Sequence, residues 1–314
     1  MELTSTDRKG QAMKEKIIDR TKFIGASEVG ILLGMNPFSS PLKLWSKKVG
    51  LAQQEEQREC FYWGTKKEQI IADRFAEDHK VKLMAYKKRF VHKTMPYFSC
   101  ELDRIIVGSD TIVECKTSTE YNKQAWEGEK DELPEYIIAQ VTAQMGLTGR
   151  KEAWVACLIG SSTYVEKLVK FDQELYAIIE EKVAEFWKMV LDKNPPMAIR
   201  GDDDALVTLY PEASEDIQLV QEMESAIALR QELSGQVKEL KQQQDEVEIK
   251  LKEAINDSLG VKTSSYICTW RPTTTRRFDT KAFTAAHPDM AAGFYNETTG
   301  RRLHIKANKQ KGAK

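Results

Sequence analysis

The segment that decides the fold reads Tyr97-Phe-Ser-Cys-Glu-Leu-Asp103-Arg-Ile-Ile-Val-Gly108-Ser-Asp-Thr-Ile-Val-Glu114-Cys-Lys116. Two runs rich in β-branched and aromatic residues, 97–107 and 111–116, flank its Gly-Ser-Asp sequence. Such runs are typical of strands, and the three residues between them favour a tight turn. The segment therefore predicts a β-hairpin.

Three charged side chains on this hairpin are candidates for catalysis. Asp103 lies on the first strand, and Glu114 and Lys116 are two residues apart on the second, so they share one face. Carboxylates bind hard cations such as Mg²⁺, and a lysine can orient a water molecule or stabilise negative charge on a phosphoryl group. The same triplet also occurs on ordinary solvated strand edges, and these residues alone leave both interpretations open.

Periodicity outside the hairpin predicts a mixed α/β domain over residues 1–200. A long helix at 55–79 carries Trp63-Gly64 and Glu68, and a second helix begins after Pro134. A polar, charged segment, 119–133, is predicted to be a loop. Further strands are predicted at 81–93, 152–159 and 163–171, and a closing helix at 174–191.

A possible anion site lies near the N-terminus. Ser27 suits a helix N-cap and Gly34 a helix stop, and free N–H groups at a helix start attract anions. Arg20 could add a phosphate-binding guanidinium. An ordinary capped helix with a surface arginine explains the same residues.

The last third of the chain changes character after Gly201-Asp-Asp-Asp204, which has the composition of a linker. Residues 201–260 are predicted to form an acidic helical arm, because positions 219 to 254 carry a 4-3 alternation typical of a coiled coil. Ser234-Gly235 leaves open a helical hairpin instead of one long helix.

Charge divides this last third into two parts. Residues 212–256 contain eleven acidic and five basic residues, for a net charge of −6. Residues 262–314 contain eleven basic and three acidic residues, for +8. The basic end, 261–314, is predicted to form a small α+β tail with strands at 265–271 and 276–278 and a helix at 280–286. It could bind DNA or neutralise the acidic arm.

Composition limits the class of protein. The 314 residues carry a net charge of −1, so a DNA-binding surface must be a local patch. The five cysteines are scattered without a C-x-x-C pair, which argues against disulfide and zinc frameworks and favours a reducing cytoplasm. Neither a signal peptide nor an apolar run of membrane-spanning length is present, so no membrane partner is expected.

Taken together, the motifs resemble the YqaJ-type phage exonucleases, which are relatives of lambda exonuclease among the PD-(D/E)XK nucleases. The resemblance covers about residues 20–190. It implies a PD-(D/E)XK restriction-endonuclease-like core, a central mixed sheet flanked by helices. The blocks that carry it are Arg20 with Ile24-Gly-Ala-Ser27-Glu28, Trp63-Gly64 with Glu68, Asp103, Glu114-Cys-Lys116, and Ala139-Gln140-Val with Met145 and Thr148-Gly149.

The same resemblance implies roles for individual residues. Lys116 would position the attacking water with support from Gln140, and Arg20 and Ser27 would receive the 5′ phosphate of the DNA. The implied ligands of Mg²⁺, for which Mn²⁺ could substitute, are Asp103, Glu114, the Cys115 carbonyl and, through water, Glu68.

Two positions depart from the family pattern. The second glutamine of the family's Q-x-Q is Thr142, so Gln140 or Gln144 must substitute for it. Glu101 replaces a serine two residues before Asp103, and it could be a further metal ligand or a salt-bridge partner.

The resemblance implies a Mg²⁺-dependent exonuclease that digests one strand of linear duplex DNA from the 5′ end. It further implies a phage or prophage origin, a homotrimeric ring around DNA and a single-strand annealing partner of the RecT kind. Alternatives are a PD-(D/E)XK endonuclease of restriction or resolvase type, and a non-catalytic scaffold that binds DNA ends. Candidates for the lining of the ring are Lys47, Lys48, Lys87, Lys88 and Arg89.

Overall fold

The computed structural model describes residues 19–52, 59–126, 133–296 and 300–306. The chain folds as two units, Met1–Pro211 and Glu212–Lys314. None of the described helices has the length and apolar content needed to cross a membrane.

The first unit contains six strands and six α-helices within its described residues. In chain order they are β1 (Ile24–Gly25), α1 (Val29–Leu32), α2 (Pro41–Lys48), α3 (Glu59–His79), β2 (Leu83–Val91), β3 (Phe98–Ile106), β4 (Thr111–Ser118), α4 (Glu135–Thr148), β5 (Glu152–Ile159), β6 (Thr163–Lys170), α5 (Gln173–Leu191) and α6 (Asp203–Leu209).

The strands form one mixed sheet in the order β1-β3-β4-β5-β6, with β2 also paired to β3. The β4–β5 and β1–β3 pairs are parallel, and the remaining pairs are antiparallel. On one face, Ile71 and Phe75 of α3 pack on Val113 and Ala156. A larger core that includes residues of α1, α2, α4 and α5 packs against the sheet as well. The mixed sheet flanked by helices confirms the predicted fold class.

Helix α4 packs closely on α1 and α5 because glycine, which has no side chain, occupies the point of contact in each pair of helices. A Cβ at Gly30 of α1 would lie 2.6 Å from the Tyr136 Cβ, and a Cβ at Gly146 of α4 would lie 2.1 Å from the Tyr176 ring of α5. Real Cβ atoms do not approach so closely, so both positions require glycine for this packing.

The prediction that Ser27 caps a helix is wrong. Ile24–Gly25 instead pairs with β3, and Ala26–Glu28 forms a 3₁₀ turn that begins after Gly25. Glu28 accepts a hydrogen bond from the Gly25 N–H at 2.8 Å, so the acid rather than the serine satisfies this backbone group. The predicted stop is confirmed, because Gly34 adopts φ of +70° just after α1.

Two segments predicted to be irregular are ordered. The predicted loop 119–133 begins with a 3₁₀ helix, Glu120–Ala125, followed by the buried Trp126, while 127–132 lie outside the described residues. The predicted linker contains Asp202, which is buried and accepts hydrogen bonds from Ser40 Oγ at 2.5 Å and the Ile199 N–H at 2.9 Å. The linker prediction is wrong because these bonds satisfy the carboxylate inside the fold.

The second unit contains α7 (Glu224–Ile255), β7 (Gly260–Lys262), β8 (Ile267–Thr269), α8 (Thr280–Ala286) and α9 (Pro288–Ala292). Helix α7 runs through Ser234-Gly235 without a break, which excludes the helical hairpin. Along α7, Ile255 alone is buried. The predicted helix at 280–286 is confirmed.

The predicted strand at 276–278 is wrong. The partner of β8 is β7, which precedes it, and the Thr263 N–H donates to the Tyr266 carbonyl at 2.8 Å to close the turn between them. A short local turn lets the strand pair with the segment just before it, whereas Pro272 lies between β8 and the predicted partner.

Candidate active site

The candidate site lies where β3 and β4 separate. Their antiparallel register pairs Ile105 with Ile112 and Arg104 with Val113. Asp103 and Glu114 are the next residues along the two strands. Instead of a ladder bond, the Cys115 N–H donates to Asp103 Oδ2 at 2.9 Å. The predicted hairpin therefore places both acids at one opening in the sheet.

Helix α4 supplies two glutamines to the Glu114 carboxylate. Gln140 Nε2 donates to Glu114 Oε1 at 2.5 Å, and Gln144 Nε2 donates to Oε2 at 2.8 Å. Lys116 Nζ lies 2.8 Å from Glu114 Oε1 and donates to Gln140 Oε1 at 3.0 Å. Residues 140 and 144 are one helical turn apart and reach the same carboxylate, so both oxygens of Glu114 are fixed.

Burial gives these charged groups unusual proton affinities. Burial raises the pKa of Asp103 well above its usual range, and the neighbouring Glu114 charge raises it further. Burial acts to lower the pKa of Lys116, but the Glu114 carboxylate outweighs it, and the pKa of Lys116 is raised. Lys116 is therefore a cation that can donate hydrogen bonds but cannot accept a proton near neutral pH.

The donor set suits a hard cation. Within the described residues, no three His, Cys, Asp or Glu side chains are gathered to hold a metal ion. Mg²⁺ commonly uses only one or two carboxylates and keeps several waters. Asp103 is half-buried and Glu114 is buried, and burial together with the Glu114 charge raises the pKa of Asp103, so a divalent cation would favour its ionised form. The residues present therefore fit such an ion.

Glu68 reaches this region from α3 and is held by a residue that the sequence analysis missed. Arg104 Nη1 donates to Glu68 Oε1 and, at 2.7 Å, to the Asp103 carbonyl, and Arg104 Nη2 donates to Gln69 Oε1 at 2.9 Å. Arg104 is only 8% exposed. The position next to a candidate metal ligand was the only sequence signal for Arg104.

Comparisons with known proteins identify the family. A family profile described as "YqaJ-like viral recombinase domain" matches residues 17–151. The protein YqaJ of Bacillus subtilis strain 168, whose function is uncharacterised, is 33% identical over 301 residues, covering 93% of each chain. The chain belongs to the YqaJ-like viral recombinase family. The predicted family is thereby confirmed.

Solved structures with partial similarity to this YqaJ-like protein include two exonucleases. One is an alkaline exonuclease, LHK-Exo, from Laribacter hongkongensis, with 18% identity, a TM-score of 0.45, and coverage of 56% of this chain and 91% of that one. The other is a phage-related exonuclease from Haemophilus somnus 129PT, with 12% identity, a TM-score of 0.42, and coverage of 55% and 96%.

The predicted phosphate-binding residues of the YqaJ-like chain lie close together. Arg20 Nη2 is 3.5 Å from Ser27 Oγ, and both residues are exposed. The 3₁₀ turn between them is anchored by Glu28, which forms a buried ion pair with Lys48 at 2.8 Å. Lys48 Nζ also donates to the carbonyls of Arg20 and Phe23 at 2.8 and 2.6 Å.

The contacts of Lys48 contradict the prediction that it lines the ring. The Lys48 side chain is 2% exposed and its ammonium is saturated, so Lys48 cannot line a DNA channel. Of the other candidates, Lys47 and Lys88 are exposed and Arg89 is half-buried, while the Lys87 side chain lies outside the described residues.

Thr142 and Glu101, the two departures from the family pattern, have different surroundings in the structure. Thr142 is buried with no hydrogen-bond partner for its hydroxyl, whereas Gln144 binds Glu114. The helical period explains this, because a residue two after Gln140 faces away from the carboxylate that Gln140 contacts. Glu101 is exposed, and its carbonyl accepts a hydrogen bond from Gln144 Nε2 at 3.3 Å.

Cys100, Cys115 and Cys157, the cysteines of the first unit whose side chains the structure describes, are free and unsuited to nucleophilic chemistry. Burial raises the pKa of Cys100 to about 12, and it raises the pKa of Cys157 to about 12 as well. Burial also raises the pKa of Cys115. Thiols with such pKa values remain protonated, so these side chains do not compete with the carboxylates for a catalytic role.

Proposed function

We propose that this YqaJ-like protein is a Mg²⁺-dependent exonuclease that hydrolyses one strand of linear duplex DNA from the 5′ end. One observation carries the proposal: Glu114 is fixed by Lys116, Gln140 and Gln144 at the opening beside Asp103. The arrangement combines a hard-cation donor set with a permanent cation, which is the equipment that phosphodiester hydrolysis needs.

The residues divide the work as follows. Asp103, Glu114 and the Cys115 carbonyl would hold Mg²⁺ or Mn²⁺, and Glu68 would add a water-mediated contact. The ion supplies Lewis acidity toward the scissile phosphate. Lys116, which its raised pKa keeps protonated, orients the attacking water and stabilises charge on the phosphoryl oxygens. Gln140 holds the Lys116 ammonium in place through its Oε1.

The proposed direction of digestion rests on the roles proposed for Arg20 and Ser27. Arg20 and Ser27 would bind the terminal 5′ phosphate, so the first phosphodiester would enter the site at Asp103 and Glu114. Water attacks phosphorus and the bond to the 3′ oxygen breaks, which releases a mononucleotide. The shortened strand keeps a 5′ phosphate and can bind again.

The biological setting is part of the same proposal. The family's description as a viral recombinase supports a role in phage-type homologous recombination in the bacterial cytoplasm. A homotrimer around DNA and a RecT-like single-strand annealing partner are proposed from the resemblance in motifs. Light scattering in the presence of duplex DNA would test the trimer, and a monomeric mass would contradict it.

The decisive experiment uses linear duplex labelled at one 5′ terminus, digested with Mg²⁺ by the wild type and by Lys116→Ala, beside a closed circular duplex. We expect release of labelled mononucleotide from linear DNA by the wild type alone. Removal of Lys116 is expected to lower the rate about 10²- to 10⁴-fold. Glu232→Gln, an exposed change on α7, is the matched control and should digest like the wild type.

Two outcomes would contradict the proposal. Cutting of the circular substrate would favour an endonuclease of the same superfamily. Absence of digestion with Mg²⁺ or Mn²⁺, combined with retained binding to DNA ends, would favour a non-catalytic scaffold.

A further inference from the structure

A second guanidinium lies beside the candidate phosphate site. Arg89 of β2 donates from Nε to the Ser99 hydroxyl at 2.9 Å, and its guanidinium lies 3.3 Å from the centre of the Phe23 ring. Ser99 of β3 pairs with Gly25 of β1 in the parallel register. Arg89 is therefore attached to the residue of β3 that pairs with β1, the short strand that leads into the turn carrying Ser27.

Gly25 lies next to the Arg20 guanidinium and pairs with Ser99, the residue that binds Arg89. A Cβ placed on Gly25 would lie 3.5 Å from Arg20 Nη2 and 3.7 Å from Ser27 Oγ, so the Arg20 guanidinium lies over this glycine. The partner of Gly25 across the sheet is Ser99, which holds Arg89. Burial lowers the pKa of Arg89, the Glu101 charge opposes this effect, and the nearby Arg20 charge adds to it.

A bulge in β2 directs Arg89 to this position. Tyr86 pairs with Leu102 and Phe90 pairs with Cys100, so residues 87–89 lie opposite the single residue Glu101. Bulges of this kind alter the direction in which a strand presents its side chains and are frequent beside active sites. Lys88 and Arg89 thus lie on an irregular part of the strand.

Protein carboxylates compensate this pair of cations only in part, because the Glu101 charge acts on Arg89 without forming an ion pair with it. The nearest acid of the turn, Glu28, is bonded by Lys48 through both oxygens at 2.9 and 2.8 Å. Across the described residues, neither Arg20 nor Arg89 forms an ion pair with a carboxylate. Two neighbouring guanidiniums repel each other and gain free energy from a shared anion.

We propose that Arg89 is a specificity-determining residue of the phosphate site, which binds the terminal 5′ phosphate of DNA between Arg20 and Arg89. The inference rests on the proposed function and names one further residue for it. A terminal phosphate carries a charge of about −1.5 to −2 at neutral pH, whereas an internal phosphodiester carries one negative charge. Two guanidiniums therefore favour a phosphorylated end over the internal phosphates of the strand.

The test measures binding without hydrolysis. A fluorescent duplex closed by a hairpin at one end, with either a 5′ phosphate or a 5′ hydroxyl, is titrated with protein in EDTA. The wild type is expected to bind the phosphorylated end at least about tenfold more tightly, in line with the strength of charge-assisted hydrogen bonds. Arg89→Gln is expected to lose most of this preference while its affinity for the hydroxyl end changes by less than about threefold.

Matched variants separate recognition from general charge and from folding. Arg20→Gln should lose the same preference, whereas Lys88→Gln, at the exposed neighbouring position, should keep the wild-type preference. Arg89→Lys keeps the charge without the forked donors and is expected to retain part of the preference. It also serves as the test variant if Arg89→Gln has a lowered melting temperature.

Three results would overturn the inference. They are an unchanged preference in Arg89→Gln, an equal loss of affinity for both ends, and a wild type with no preference for the phosphate. In any of these cases Arg89 acts only through structure or general charge, while digestion of linear duplex by the wild type would leave the proposed exonuclease intact. Loss of digestion with a retained, Arg89-dependent preference would instead contradict the proposed function alone.

Discussion

Helices α3 and α7 carry similar apolar periodicities but have opposite environments. In α3, Phe75 is fully buried against the sheet and stacks on His79 with ring centroids 4.2 Å apart. In α7, Leu240 on the 4-3 stripe is 64% exposed, and polar pairs one turn apart, such as Gln236 with Glu232 at 3.1 Å, support the surface. Periodicity therefore predicts a helix in both cases, but the free energy that a side chain contributes depends on what packs against it.

The largest expected effect lies at the opening in the sheet. Glu114→Gln keeps the size of the side chain but removes the charge that holds Lys116, so we expect the kcat/KM on linear duplex to fall about 10²- to 10⁴-fold. The melting temperature should change much less than the activity does. Glu248→Gln on exposed α7 is the control. Wild-type activity in Glu114→Gln would remove Glu114 from the catalytic site.

Truncation of one apolar side chain on each helix tests the contrast directly. Phe75→Ala empties a fully buried site and is expected to lower the free energy of unfolding by about 3–5 kcal/mol. Leu240→Ala, at an exposed position, is expected to cost less than about 0.5 kcal/mol. Urea denaturation followed by circular dichroism measures both. A large loss in Leu240→Ala would mean that the α7 stripe is packed in solution.

A smaller effect is expected where α4 crosses α5. Gly146→Ala places a methyl group into the Tyr176 ring, which is buried and cannot move aside, so we expect a loss of about 1–3 kcal/mol. Gly235→Ala in α7 meets no atom within 4 Å and should instead stabilise its helix by up to about 1 kcal/mol. The opposite signs, measured by thermal unfolding, would sharpen the distinction between the two helices. A Gly146→Ala variant as stable as the wild type would be inconsistent with the close crossing.

The smallest effect is expected at Thr142. Thr142→Val replaces a buried hydroxyl that has no partner by a methyl group of the same shape, and we expect the free energy of unfolding to stay equal or rise by up to about 1 kcal/mol. Activity on linear duplex should be retained. Gln144→Ala, two residues further on, is the matched comparison and should lower activity because it frees Glu114 Oε2. Loss of activity in Thr142→Val would assign the hydroxyl a function.

Much of the first unit could be predicted from local pattern. The hairpin at Gly108, the strands at 152–159 and 163–170 and the end of α1 at Gly34 follow from alternation and turn chemistry, which act between neighbours in sequence. The pairing of Ile24–Gly25 with β3 could not be predicted, because a two-residue strand has no periodicity. The pairing of β7 with β8 in the second unit could not be predicted either, because each of these strands has only three residues.

The candidate site, too, could be predicted only in part. Asp103, Glu114 and Lys116 were identified from their spacing in sequence, and Gln140 from the motif resemblance. The role of Arg104 could not be predicted, because its contacts with Glu68 and Gln69 join residues more than thirty positions apart. The burial of Lys48 was missed for the same reason, since Glu28 and the carbonyls of Arg20 and Phe23 lie twenty or more positions away in sequence.

The sequence by itself determined which segments become strands and helices and which residue types can perform the chemistry, because these properties depend on side chains and on neighbours within a few positions. The tertiary structure alone decided which charges are neutralised and which remain free. Lys48 and Arg89 are both basic residues, yet Lys48 is buried against Glu28, whereas Arg89 is half-buried near Arg20 at the proposed phosphate site. The energy of a charge depends on its distance from other charges and from water, and only the folded chain sets those distances.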